Sequence, residues 1–378
     1  MRFTSLFALG AVATGVSVLA TVAIAAGPAA GTGTIVLGSY SGHLTMIDEA
    51  TEKVAAQIPF KNGIPWAARP SMDHGRFYVQ SANMERFEVI DLRSRQTVDT
   101  FTVSDGNRHV RALAYEVDAQ ERFLVMVART ATKQTDRFAI STPEFIRYDL
   151  KEHRVVLTRP WPVDPEPRYY GLNLRFSPDG KYLYAFAQEI TVFDATTLER
   201  LDSWNLSLPN ESGLNRFGLD SFDESADEAG YFTGLFTMRD PVANRELLII
   251  GRVNLAAKSI DFFPLGPAPE SGNLSFALTP DRKRGYILRE EIGQAEVWTV
   301  DVAAKRLESK TRFKGRPRMA IRTSSNGQVV YIFEAGNTID VYDADGFKYL
   351  RTITLDSDMK YGTFYVLAPS RPRPASGR

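Results

Sequence analysis

The chain has 378 residues, with 45 Lys plus Arg against 45 Asp plus Glu, and no cysteine. Balanced charge excludes a dedicated nucleic-acid binder, which needs a basic excess to release phosphate counterions, and equally a polybasic membrane-surface protein. A composition of 44% hydrophobic and 11% aromatic residues excludes disorder, and the lack of cysteine excludes disulfides, zinc–thiolate sites, iron–sulfur clusters and cysteine nucleophiles.

Residues 1–26 form a separate segment. Arg2 precedes an apolar run from Leu6 to Ala26, and Ala23-Ile24-Ala25 fits the small-residue cleavage preference of a secretory signal peptide. The run is long enough to cross a bilayer, so a retained anchor is the rival reading. No basic stop-transfer flank follows it, which favours cleavage and a periplasmic location with no membrane contact after signal removal. Residues 27–33 (GPAAGTG) then read as a flexible lead-in. A mature chain of this size can be stable by burial alone, without disulfides.

One unit recurs along the rest. A short alternating apolar stretch closes on Asp or Asn at Asp48, Asp91, Asp149, Asp194, Asn254, Asp301 and Asp343, with successive spacings of 43, 58, 45, 60, 47 and 42 residues. A period in the forties built from short strands is the mark of a β-propeller blade. Turn chemistry repeats too, as in Ser177-Pro-Asp-Gly180, Thr279-Pro-Asp281 and Ser325-Asn-Gly327, each followed by aromatic-rich alternation. Sustained 3.6-residue periodicity is nearly missing, so little helix is expected. The fold class read from this is all-β, a seven-bladed β-propeller over residues 34–369, with 370–378 as a disordered tail. A β-sandwich with a second β domain is the rival.

The ends predict how the ring closes. The first unit starts at Thr34-Ile-Val-Leu-Gly38 without an innermost strand, while Tyr361-Gly-Thr-Phe-Tyr-Val-Leu-Ala-Pro369 is a strand without a unit. The latter matches the innermost-strand pattern Tyr170-Gly-Leu-Asn-Leu-Arg-Phe-Ser-Pro178. It is therefore expected to pair beside the N-terminal strands and remove the open edges.

The search for chemistry gives little. His43, His74, His109 and His153 share no metal-ligand spacing, and no phosphate loop, nucleophile elbow or EF-hand loop is present. Asn205, Asn210 and Asn273 head N-glycosylation patterns that matter only in a eukaryotic secretory pathway. Polar residues assigned to innermost strands are His109, Arg111, Asn173, Arg175, Asn215, Asp220, Asn273, Arg318 and Arg322. Asn and Asp among them suit Ca²⁺ as in propeller lactonases, but the set mixes cations with the acceptors and Asp220 is the one clear carboxylate, so a solvated channel lining is the preferred reading. Two insertions, Arg129 to Pro143 and Ser221 to Gly230 with Asp223, Glu224, Asp227 and Glu228, are expected to project and meet partners or to be simple loop drift.

The run Arg137-Phe-Ala-Ile-Ser-Thr-Pro-Glu-Phe-Ile-Arg-Tyr-Asp149, then Tyr231-Phe-Thr-Gly-Leu-Phe-Thr-Met238, then the stretch Asn337 to Tyr349 come in an order that resembles the beta subunit of quinohemoprotein amine dehydrogenase, within the broader YVTN-type propellers. The resemblance implies a periplasmic complex that oxidises primary amines to aldehydes. A dihaem alpha subunit with haem c and a small gamma subunit with a cysteine-derived tryptophylquinone would carry the cofactors. The beta subunit would be a propeller that docks both and carries none, so no catalytic, cofactor or metal residue is assigned to this chain. A stand-alone binding scaffold and a Ca²⁺-dependent lactonase or hydrolase are the alternatives, since propellers host all three.

Overall fold

In a computed structural model, residues 30–163, 172–187, 189–205, 212–223, 225, 228–316 and 318–369 are described. The signal segment 1–26, most of the lead-in and the tail 370–378 lie outside them. Everything regular among the described residues is β-strand: β1 (Thr34–Ser39), β2 (His43–Asp48), β3 (Lys53–Pro59), β4 (Pro65–Pro70), β5 (Arg76–Ser81), β6 (Arg86–Asp91), β7 (Gln96–Thr102), β8 (Arg108–Val117), β9 (Phe123–Lys133), β10 (Phe138–Ile140), β11 (Glu144–Asp149), β12 (Arg154–Pro160), β13 (Asn173–Phe176) and β14 (Tyr182–Phe186). Then come β15 (Ile190–Asp194), β16 (Arg200–Trp204), β17 (Asn215–Phe222), β18 (Tyr231–Asp240), β19 (Arg245–Asn254), β20 (Ser259–Pro267), β21 (Asn273–Leu278), β22 (Arg284–Glu291), β23 (Gln294–Asp301), β24 (Arg306–Phe313), β25 (Ala320–Thr323), β26 (Val329–Glu334), β27 (Gly336–Asp343) and β28 (Tyr349–Leu367).

Consecutive antiparallel strands form four sheets of four, β4–β7, β13–β16, β17–β20 and β21–β24, and a five-stranded sheet in which β10 lengthens the β8–β12 meander. The sixth sheet has seven strands in the order β25-β26-β27-β28-β1-β2-β3. Seven separate sheets are expected from the repeats; six are found, because β28 runs unbroken through both neighbours. Its first part pairs with β27 (Ile339 with Ile353). Its last part pairs with β1 in the register Ile35 with Val366, Val36 with Tyr365 and Leu37 with Phe364. The C-terminal strand thus sits beside the N-terminal strands, as the ends of the sequence predict.

The middle strands of each sheet are buried on both faces, while the outermost are largely exposed. In β14, Leu183 and Ala185 pack toward the β8–β12 sheet, while Tyr184 and Phe186 pack toward β17–β20. Among the described residues seven such apolar clusters form, each joining side chains from two consecutive four-strand units. Each large side chain buried this way contributes roughly 1.5–3 kcal/mol.

The repeat residue that closes each apolar stretch has a structural role. Asp48, Asp91, Asp149, Asp194, Asn254, Asp301 and Asp343 each accept the backbone N–H three residues on, at 2.7 to 3.2 Å. These are Asx-type turns. One residue further, Glu52, Arg95, His153, Leu198, Lys258, Lys305 and Phe347 all adopt positive φ, a conformation that usually selects glycine. Their side chains explain the exception, because each reaches back to the preceding unit. Arg95 donates to the Ala55 carbonyl at 2.8 Å, His153 lies 3.7 Å from Asp99, Lys258 pairs with Asp202 and Lys305 with Asp261. Leu198 and Phe347 enter the apolar clusters, and Glu52 pairs with Arg351 across the β28 junction.

Candidate functional site

The first strand of each sheet is innermost: β8 touches β13, β17 touches β21, β21 touches β25, and β25 and β4 both touch β28. These strands run alongside one another, so residues near their starts gather at one end of the axis and residues near their finishes at the other. The residues proposed from sequence divide between the two ends.

At the finishing end, Arg69, Arg175 and Arg322 hold the same place, two residues before Ser71, Ser177 and Ser324. Those hydroxyls bond to Asp73, Asp179 and Asn326 and start the following hairpin turn. Each arginine donates from Nη1 to the carbonyl just before it, of Ala68, Leu174 and Ile321, at 3.2, 3.1 and 2.7 Å. Glu116 fills the corresponding place on β8. Its Oε2 accepts from Arg175 Nη1 at 2.6 Å and lies 4.0 Å from Arg69 Nε. The Arg175 guanidinium also lies 5.2 Å from the Phe222 ring centre. Arg322 Nε donates to the Phe364 carbonyl at 3.0 Å and sits 3.6 Å from Asp223 Oδ1. Burial pushes the Asp223 carboxyl up from its ordinary value, against the pull of Arg322 and the backbone N–H groups of Ser225 and Leu278.

A cavity of about 60 Å³ opens at this end, walled by Arg69, Glu116, Arg175, Phe176, Glu228 and Tyr231 among others. The end of the insertion after β17, Glu228 to Gly230, lines it. That loop is expected from the sequence to project; its described part instead folds inward. Asp223 bonds to β21 through Leu278 N at 3.2 Å, Ser225 Oγ accepts Val366 N of β28 at 3.4 Å, and Glu228 is held by Arg252 at 2.6 Å and Arg282 at 3.4 Å. A buried carboxylate is far cheaper paired than bare, which draws this acidic loop onto the arginines. Glu224 and Asp227 lie outside the described residues. The other insertion does project: Phe138 and Ile140 on β10 are 59% and 60% exposed.

At the starting end, His109 Nδ1 is 3.1 Å from Glu85, and Arg111 Nε is 3.7 Å from it. Asn273 Nδ2 donates to Glu290 at 2.7 Å, and Glu290 also takes the Met319 N–H at 2.5 Å. Asn215 Oδ1 is buried without a hydrogen-bond partner among the described residues. Asn173 is half-buried and Arg318 exposed; the Asp220 side chain lies outside the described residues. Lys360 donates to the Trp66 carbonyl at 2.6 Å with its ammonium 4.1 Å from the indole centre, and burial pushes its pKa down to about 8.

The structure therefore does not bring the nine sequence candidates into one site. Arg175 and Arg322 share the finishing end, while His109, Arg111, Asn173, Asn215 and Asn273 lie near the starts of their strands and Arg318 precedes β25. Arg69, Glu116, Glu85 and Glu290 escape the sequence reading. A signal for the first was present in the three-fold pattern Arg69-Pro-Ser71, Arg175-Phe-Ser177 and Arg322-Thr-Ser324. Among the described residues no three His, Asp or Glu side chains are placed to share a metal ion, and the finishing end presents guanidinium groups, which repel Ca²⁺.

No family model and no curated protein matches the sequence. Solved structures do. Kuenenia stuttgartiensis hydrazine synthase aligns with a TM-score of 0.49 and 14% identity over 89% of this chain and 99% of that one. A functionally unknown protein from Desulfotomaculum acetoxidans aligns at 0.51 and 14%, over 90% and 100%. Dihydro-heme d1 dehydrogenase NirN in complex with DHE aligns at 0.51 and 13%, over 86% and 74%. The fold is a β-propeller. At these identities the likeness extends to the fold alone.

Proposed function

We propose that this chain is a seven-bladed propeller acting as the non-catalytic subunit of a periplasmic, quinone-cofactor amine dehydrogenase. In the seven-blade count the seven-stranded sheet is two blades sharing β28. Seven Asx turns, seven left-handed bridging residues and seven apolar clusters support that count, because a ring of seven units has seven interfaces. The subunit reading rests on the order of the Arg137–Asp149, Tyr231–Met238 and Asn337–Tyr349 stretches. The observation that carries its non-catalytic part is the engagement of axial charges with one another and with backbone: Arg175 with Glu116, Arg322 with Asp223, and Lys360 with Trp66. Groups committed in this way brace a wall and are poorly placed to react.

A chain without cysteine offers no thioether attachment for haem c and no cysteine for a tryptophylquinone cross-link. In this reading both groups belong to partner subunits, a dihaem alpha chain and a small gamma chain. The test is affinity purification of the tagged full-length chain from its native host, with haem staining and an amine-oxidation assay. Co-purification of a haem-staining protein and a small quinone-bearing protein, with turnover in the complex and none in the isolated chain, is expected. Amine oxidation by the isolated chain, or recovery of the chain without either partner, overturns the reading.

A further inference from the structure

We propose that Ser357 is a nucleophile activated by His43, which gives this chain an acyl-transfer activity toward small activated esters. The two residues meet at the junction where β28 passes from one neighbour to the other. Thr354 pairs with Thr338 and Met359 with Gly336, so residues 355–358 stand opposite Asn337 alone in a bulge, a device that re-aims side chains beside functional sites. The β1–β2 turn brings the base. Gly42 adopts a φ of 80° there, and His43 starts β2 in register with Pro59. His43 Nε2 then lies 3.5 Å from Ser357 Oγ. The same hydroxyl is 3.1 Å from Ser39 Oγ and 3.4 Å from Asp356 Oδ1. Ser39 is fully buried and lies 2.6 Å from Ser41 Oγ, and Gln57 Nε2 donates to Asp356 Oδ2 at 2.7 Å.

The turn and the ring closure do not account for this contact. Ser39 Oγ already accepts the Ser41 N–H at 3.0 Å, and Tyr40 N donates to the Asp358 carbonyl at 3.1 Å, so the backbone is joined there without Ser357 or His43. A serine with an imidazole nitrogen in reach is the arrangement that removes the hydroxyl proton as the oxygen attacks, and such pairs are often longer before substrate binds. Ser357 Oγ forms a bond to the ester carbonyl carbon, its proton passes to His43 Nε2, and the bond from that carbon to the leaving oxygen breaks. The departing oxyanion takes the proton from His43. Water then cleaves the acyl–serine ester, releasing the acid and restoring the Ser357 hydroxyl. Ser41 is exposed and His43 and Ser357 are half-buried, so the cluster is open to solvent. An open site supplies little binding energy, which restricts the class to small esters with a good leaving group, such as aryl acetates. The site does not depend on the subunit reading, which gives this chain no step in amine oxidation.

The test is labelling of the full-length protein with a fluorophosphonate, followed by trypsin digestion and mass spectrometry. Ser357 Oγ displaces fluoride from phosphorus, and the peptide Thr352–Lys360 contains no other serine, so the modified residue is identified directly. Modification of Ser357, and its suppression in His43→Gln, are expected. With p-nitrophenyl acetate, Ser357→Ala and His43→Gln are each expected to lower turnover by about tenfold or more. Turnover that survives Ser357→Ala would come from an imidazole or amine acting alone and overturns the proposal, as does a protein left unlabelled at Ser357. The labelling needs no variant, so it decides the outcome even where a substitution prevents folding.

Discussion

The Glu49 carboxylate accepts the backbone N–H of Ser325 at 2.8 Å, joining residues 276 apart in sequence across the β28 junction. The same carboxylate takes the Gly33 N–H at 2.8 Å, the Tyr331 hydroxyl at 3.2 Å and the Ser325 hydroxyl, and Glu49 is fully buried. Four donors converge on one side chain at the point where the first and last units meet. The hydrogen-bonded ladder of β1 with β28 closes the ring along the backbone, and Glu49 closes it through a side chain.

Glu49→Ala should therefore lower stability by about 2–4 kcal/mol, because it removes the acceptor of the Ser325 N–H and of the Ser325 and Tyr331 hydroxyls and leaves the Gly33 N–H with Ser325 Oγ alone. Denaturant unfolding followed by tryptophan fluorescence would measure this. Glu49→Gln retains an acceptor oxygen and should lose roughly half as much. Equal stability of the alanine variant and the parent would show that the backbone ladder alone holds the closure.

The closing strand gives a second expectation. Phe364 is fully buried, pairs with Leu37 and lies 6.1 Å from Phe333 between ring centres. Phe364→Ala should cost about 3–5 kcal/mol through lost transfer energy and the cavity left behind. Phe138 on the projecting β10 hairpin is the matched control, since Phe138→Ser should stay within about 0.5 kcal/mol of the parent. A Phe364→Ala protein as stable as the Phe138→Ser protein would mean the last strand is not part of the cooperative unit.

Much of this architecture was legible in the sequence, for local reasons. The Asp or Asn ending each apolar stretch marks a turn within four residues of itself, so a single chain segment specifies it. The pairing of Phe364 to Leu367 beside Ile35 to Leu37 was readable because an orphan strand and a missing strand are both local patterns. What escaped was set by other segments. Alternation in β28 cannot reveal that Tyr349 to Leu367 runs through two neighbours without a break, so six sheets appear where seven were expected. Arg69 and Glu116 looked like ordinary strand residues until the fold brought Arg69 of β4 and Arg175 of β13 to the same Glu116 oxygen. The acidic loop looked like a projection because its partners lie elsewhere in the chain, Arg322 and Arg252 on other strands and Arg282 in the turn between β21 and β22.

The Asx turns predict an acid response. Backbone donation from Ser94 holds the Asp91 carboxyl below its ordinary value, and donation from Thr197 does the same for Asp194. A carboxylate with a lowered folded-state pKa contributes stability that is present above its unfolded value and lost as pH falls through the folded one. Asn254 performs the same turn without titrating. Asp91→Asn and Asp194→Asn should therefore leave stability at neutral pH little changed while flattening its decline between about pH 5 and pH 2. Urea midpoints across that range would show it, and an unchanged acid limb in the double variant would remove these turns from the account of acid unfolding.

Seven residues at equivalent left-handed positions allow a comparison within one molecule. Leu198 and His153 follow Asp194 and Asp149 at the same offset, with φ of 55° and 52°. Glycine at either site would relieve a backbone penalty of roughly 1–2 kcal/mol. Leu198 is fully buried in the cluster between β9, β11 and its own sheet, so Leu198→Gly forfeits packing worth about 3–5 kcal/mol and should be destabilising overall by about 2–3 kcal/mol. His153 is half exposed and 3.7 Å from Asp99, an arrangement worth well under about 1 kcal/mol, so His153→Gly should be neutral or slightly stabilising. Thermal unfolding of the two variants decides between the competing terms. If both lost stability equally, the side chain's reach into the preceding unit would not be what retains non-glycine residues at these turns.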